Sequence, residues 1–169
     1  MRVLVRAYDG LIFGLAWLAG LCLALTFVAI VWDVGVRTLG LQPPAFTSAL
    51  TEYAMLVVTM AVAPWLVRLK GHVWVEAIDL IASEAVRRRL ATLVYLACVG
   101  LCFVLAWYAG ELAIEAWMRG ELDIRSIILP RWFLYAVLAV GLFLCAVEFL
   151  RYLFGVDDLY GAGAERTGA

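Results

Sequence analysis

Read for the spacing of its apolar and charged positions, the chain divides into four long hydrophobic stretches separated by short charged ones. Residues 11–32 form a 22-residue run without a charge. At 1.5 Å per residue such a helix is roughly 33 Å long, enough to cross a hydrocarbon core of about 30 Å. Asp33 and Arg37 close it. A signal peptide would carry a shorter apolar core and a cleavage site ahead of a polar chain, whereas here a second span follows, so 11–32 is read as helix 1. The link 40–44 (GLQPP) ends one helix and prepares the next, because two prolines cannot continue a helix but suit its start.

Helix 2 is expected over 48–67. Thr47 or Ser48 can cap it, Glu52 falls in its early turns where the helix dipole favours a carboxylate, and Pro64 is expected to kink its last turn. The uncharged stretch stops at Arg68, Lys70, Gly71 and His72. From Trp74 the pattern changes to two faces. At about 100° per residue, Trp74, Ala77, Ile78, Ile81, Ala82 and Ala85 cluster on one side, with Glu76, Asp79, Ser83 and Arg87 opposite. An amphipathic helix running into Arg87, Arg88 and Arg89 is expected to lie in the membrane surface.

Helix 3 covers 90–110, 21 residues without a charge. It is expected to run past Glu111, since Glu115 and Arg119 pair at i, i+4, and to stop at Gly120. Residues 121–129 read as a short loop with a hydrophobic end. Pro130 then opens helix 4 over 131–150. The tail 155–169 is small, polar and acidic, and is expected to be frayed. Residues 1–154 thus read as one four-helix transmembrane domain.

Composition agrees with the pattern. Of 169 residues 66% are hydrophobic and 16% charged, with mean hydropathy +0.99. A soluble domain is about half apolar and a quarter charged, so the chain reads as an all-α, multi-pass membrane protein. The formal net charge of −1 says nothing about nucleic acid, and no Lys/Arg patch lies outside the membrane-flanking loops. Four spans put both termini on one side, together with Arg2, Arg6, Arg68, Lys70, Arg87, Arg88, Arg89, Arg151 and Arg166. Arg37, Arg119, Arg125 and Arg131 fall on the other. Nine against four places both termini in the cytoplasm by the positive-inside rule.

The residues exclude much chemistry. The single histidine, His72, lies in a loop, so a haem anchor with intramembrane axial ligands is ruled out. Cys22, Cys98, Cys102 and Cys145 lie inside apolar spans and read as small buried hydrophobes. No P-loop, GxSxG, HExxH or CxxC motif is present, and no soluble domain could hold an active site. The chain therefore reads as a non-enzyme without cofactor or metal.

The remaining polar groups each admit two readings. Glu52 is either an ion or proton site or a carboxylate paired near the interface with Arg37, across the link between helices 1 and 2. Glu148 has Arg151 one turn on and reads as an interfacial pair. His72 either senses pH or is merely exposed. Glu111 and Glu115 form an acidic stripe that is a solvated helix end or a partner contact. Helices 1 and 3 carry no Asp, Glu, Lys, Arg or His over their uncharged runs. A transporter acting alone would be expected to show broken helices or repeats around a polar midplane site. The physical reading is a membrane subunit that supports something else.

Three local patterns carry a resemblance. Asp33-Val-Gly-Val-Arg37 precedes a Gly/Pro link and Glu52. Residues 71–80 read Gly-His-Val-Trp-Val-Glu-Ala-Ile-Asp-Leu. Ile128-Leu-Pro130-Arg-Trp132 leads into helix 4. In order and spacing, over about residues 11–154, these resemble the small membrane subunit (DctQ-like) of tripartite ATP-independent periplasmic (TRAP) transporters. The chain departs from that pattern in having Glu52-Tyr53 where paired glutamates are common, and a longer His72-to-Asp79 spacing. The resemblance implies a subunit of the bacterial inner membrane that braces a large permease subunit (DctM-like). A periplasmic substrate-binding protein (DctP-like) would deliver an organic acid for sodium-coupled uptake. Contact with partners or lipid would fall to Arg37, Glu52, His72, Asp79, Glu111, Glu115, Pro130 and Trp132, and to the interfacial face Trp74, Ile78, Ile81 and Ala85. Two other readings stay open: a free-standing four-helix transporter or channel using Glu52, and an assembly factor or anchor for another enzyme.

Overall fold

The structure, a computed structural model, describes residues 2–42, 44, 46–69 and 84–154. Among the described residues, four helices are long and apolar enough to cross a membrane: α1 (Arg2–Thr38), α2 (Phe46–Arg68), α3 (Glu84–Arg119) and α4 (Arg131–Leu153). A small antiparallel hairpin, β1 (Leu122–Ile124) and β2 (Ile128–Pro130), joins α3 to α4. Strands of three residues are too short for their alternation to stand out in a sequence, which is why 121–129 reads as a loop.

The helices end where their chemistry requires. Gly40 takes φ 75°, with its N–H donating to the Arg37 carbonyl at 3.0 Å and that of Leu41 to Val36 at 3.2 Å. Gly120 takes φ 64°, with its N–H bonding the Trp117 carbonyl at 3.2 Å and that of Glu121 bonding Ala116 at 3.0 Å. In both, a glycine in the left-handed region reverses the chain and satisfies two orphan carbonyls. The start of α2 departs from expectation. Thr47 lies inside the helix rather than at its cap, and its hydroxyl donates to the Pro44 carbonyl at 3.0 Å.

The expected surface helix falls mostly beyond the described residues, as do His72, Trp74, Ile78, Asp79 and Ile81. Ala85 is described in its backbone only, and belongs to α3. That helix runs unbroken from Glu84, so the basic run 87–89 is its first two turns and continues directly into the span.

Packing follows the order α1–α2–α4–α3: α1 lies on α2, α2 on α4 and α4 on α3, with only marginal contact between the other pairs. The core near one end combines Val67, Tyr95, Cys145 and Tyr152, flanked by Ala63 and Phe149. At mid-span α2 and α4 approach closely. A Cβ on Gly141 would lie 2.7 Å from the Met60 Cβ and 3.0 Å from the Met60 carbonyl oxygen. Pro64, four residues on, has no N–H to offer that carbonyl. The gap in the α2 hydrogen-bond ladder therefore faces the one α4 residue that has no side chain to block it.

Candidate functional site

Polar side chains gather at the two ends of the helices. At the end where α1 begins and α4 stops, Arg68 closes α2 and reaches two acids. Its Nη2 donates to Glu148 Oε1 at 2.7 Å, and its Nη1 lies 3.0 Å from Asp9 Oδ1. Arg151 Nη1 is 3.6 Å from Asp9 Oδ1 and 3.5 Å from Glu148 Oε1. Both guanidinium groups lie over the Tyr8 ring, at 5.6 Å and 5.8 Å from its centroid. The Glu148 side chain is only 3% exposed. A carboxylate so buried is tolerated because two cations share it.

This cluster ties α1, α2 and α4 together, and its charges cancel: Asp9 and Glu148 against Arg68 and Arg151. Beside it the Tyr152 hydroxyl donates to the Val67 carbonyl at 2.9 Å, with Arg68 O also close at 3.1 Å. These are carbonyls of the last turn of α2, which lack helical donors. The Tyr152 ring stacks on Tyr95 of α3 at 5.8 Å.

Sequence spacing pairs Glu148 with Arg151 alone. That contact exists but is the longer one, at 3.5 Å against 2.7 Å for Arg68 of the neighbouring helix. Nothing in the local spacing marks Asp9, Tyr8 or Tyr152. The available signal was topological: Asp9, Arg68 and Glu148 lie near the same boundary of three different spans.

At the opposite end the hairpin organises the contacts. Arg125, in its turn, forms an ion pair with Glu52 of α2 and lies 3.6 Å, through Nε, from Asp123 Oδ2. The Tyr53 hydroxyl donates to Asp123 Oδ2 at 3.0 Å. Arg131 opens α4, with Nη1 on Glu121 Oε2 at 3.0 Å and its N–H on the Glu121 carbonyl at 3.0 Å. Pro130 ends β2 and occupies the N-cap position of α4. Trp132 packs edge-on against Trp117 of α3, with centroids 4.8 Å apart.

The expected pairing of Glu52 with Arg37 is replaced by two separate pairs. Arg37 Nη2 binds Asp33 at 3.1 Å, one turn back on its own helix, where no chain reversal is needed. Glu52 instead meets Arg125, which the hairpin carries over the start of α2. Glu52 is 56% exposed, so it is a rim carboxylate rather than one held at depth. Glu115 pairs with Arg119 along α3, and Glu111 accepts a hydrogen bond from Trp107 Nε1 at 3.0 Å. His72 and Asp79 lie outside the described residues.

Between these ends α3 and α4 leave an open apolar groove of about 510 Å³, lined by Phe103, Ala106, Gly110, Ala139, Val140 and Phe143, with Glu111 at its rim. Most of α1 and α3 exposes large apolar side chains, Trp17, Leu25, Phe27, Leu101 and Trp107 among them. Such faces belong against lipid or another membrane protein. Among the described residues, no three His, Cys, Asp or Glu side chains gather where they could hold a metal ion.

A family model described as "Tripartite ATP-independent periplasmic transporters, DctQ component" matches residues 26–157. No curated protein and no solved structure matches the chain.

Proposed function

Since the chain belongs to the DctQ component family of TRAP transporters, we propose that it is a non-catalytic scaffold for the large permease subunit. Its transport system would take up an organic acid, coupled to sodium, after delivery by a periplasmic binding protein. The membrane would be the bacterial inner membrane, with both termini in the cytoplasm as the basic residues favour.

One observation carries the scaffold role: among the described residues, the acidic and basic side chains lie toward the two ends, and most of them pair with one another there. Glu52, the residue a lone channel would need, sits at the rim and is engaged by Arg125. The middles of α1 and α3 carry no charge and present apolar faces outward. A subunit built so offers surface and rigidity and leaves the solute path to its partner.

The test is uptake in cells and in liposomes. Deleting this chain should abolish uptake by the system, and the purified chain alone should move no solute. It should co-purify with the large subunit. Uptake that survives the deletion, or flux through the lone chain that Glu52→Gln stops, would overturn the reading.

A further inference from the structure

The hairpin has two unlike faces. Asp123 points inward, bonded by Tyr53 and approached by Arg125. Glu121 on one flank is fixed by Arg131, and Arg125 on the other by Glu52. Three neighbours hold its polar side and set which way the hairpin faces. Side chains alternate across a strand, so Leu122, Ile124 and Ile128 are held on the other face. They are 51%, 76% and 63% exposed.

Three aliphatic side chains fixed in the open on a short strand pair call for an apolar neighbour. The chain before them supplies the context. Ile114, Trp117 and Met118, at i, i+3 and i+4 on the last turns of α3, are also exposed, and the apolar run resumes at Leu122. The hairpin lies between Arg119, which ends one span, and Arg131, which begins the next. That is the level of the headgroups, where Trp117 and Trp132 also stand and where tryptophan prefers to sit. We propose that the face formed by Leu122, Ile124 and Ile128 inserts into the acyl–headgroup boundary of the bilayer and anchors this end of the subunit. The partner is the apolar edge of the lipid layer and not its charge, since Arg119, Arg125 and Arg131 are each neutralised by an acid of the chain.

The proposal rests on the chain spanning a membrane and not on its role as a scaffold. It is tested with the full chain in nanodiscs, alone and co-expressed with the large membrane subunit. An environment-sensitive NBD label is attached at Ile124→Cys or Ile128→Cys, with the four native cysteines changed to alanine, and Ser126→Cys gives the comparison at the hairpin turn. Lipid carrying a spin label near the headgroup should quench positions 124 and 128 several-fold more than aqueous iodide does, equally in zwitterionic and anionic nanodiscs. Iodide quenching at 124 equal to that at 126 would overturn the proposal, as would loss of lipid quenching once the large subunit is present. A photoreactive benzoylphenylalanine at 124, in the chain with its native cysteines, gives an independent reading. A lipid adduct is expected, and an adduct to another polypeptide would refute the assignment.

Discussion

Arg68 and Glu148, 80 residues apart in sequence, meet at 2.7 Å between the ends of α2 and α4. Because Glu148 is buried, removing one partner leaves an uncompensated charge, which costs about 3–5 kcal/mol in comparable pairs. Arg151, which also lies near Glu148 and Asp9, softens the loss, so Arg68→Gln is expected near the lower end. The Arg68→Gln/Glu148→Gln double variant should be destabilised by less than the sum of the two. Unfolding in mixed detergent measures this, and strict additivity would rule out the coupling.

Gly141→Ala should destabilise the α2–α4 contact by about 1–3 kcal/mol, the usual cost of overpacking. The obstruction is the Met60 Cβ and backbone carbonyl, which cannot rotate away. Met60→Ala should therefore fail to rescue it. Recovery in the double variant would show that only the flexible end of Met60 was in the way.

The exposed pair Glu52–Arg125 should matter little to stability. Coupling of about 0.2–1 kcal/mol is expected, fading as salt is raised. A double-mutant cycle with Arg37 in place of Arg125 should give none. A larger coupling to Arg37 than to Arg125 would contradict the observed pairing.

Tyr53→Phe removes the hydroxyl that holds Asp123. Loss of one hydrogen bond, about 1 kcal/mol, should raise amide exchange across the hairpin roughly five-fold while leaving the helices unchanged. Hydrogen–deuterium exchange read by mass spectrometry resolves the two regions.

The spans were legible because uncharged runs such as 11–32 and 90–110 have no soluble explanation, and the stops at Gly40 and Gly120 because glycine alone reverses a helix cheaply. The α3 start was not, since a basic run reads equally as the end of a surface helix or the first turns of a span. The polar contacts were legible only within a helix. Arg119–Glu115 follows from i, i+4 spacing, whereas Arg68–Glu148 and Arg125–Glu52 depend on which helix neighbours which. Proximity in sequence favoured Arg37 for Glu52, and an unforeseen hairpin supplied Arg125 instead.

The contact order α1–α2–α4–α3 also sets a schedule for assembly. As the chain emerges, α1 and α2 can pair at once. The next helix, α3, finds little to pack on and must wait in the bilayer for α4. The fourth helix, α4, is thus the one that joins an early pair to a waiting single helix, through Gly141 against α2 and Tyr152 beside Tyr95. A nascent chain stalled before Arg131 would hold a helix pair and a single helix not yet packed together, open to quality-control proteases until the 23-residue α4 inserts.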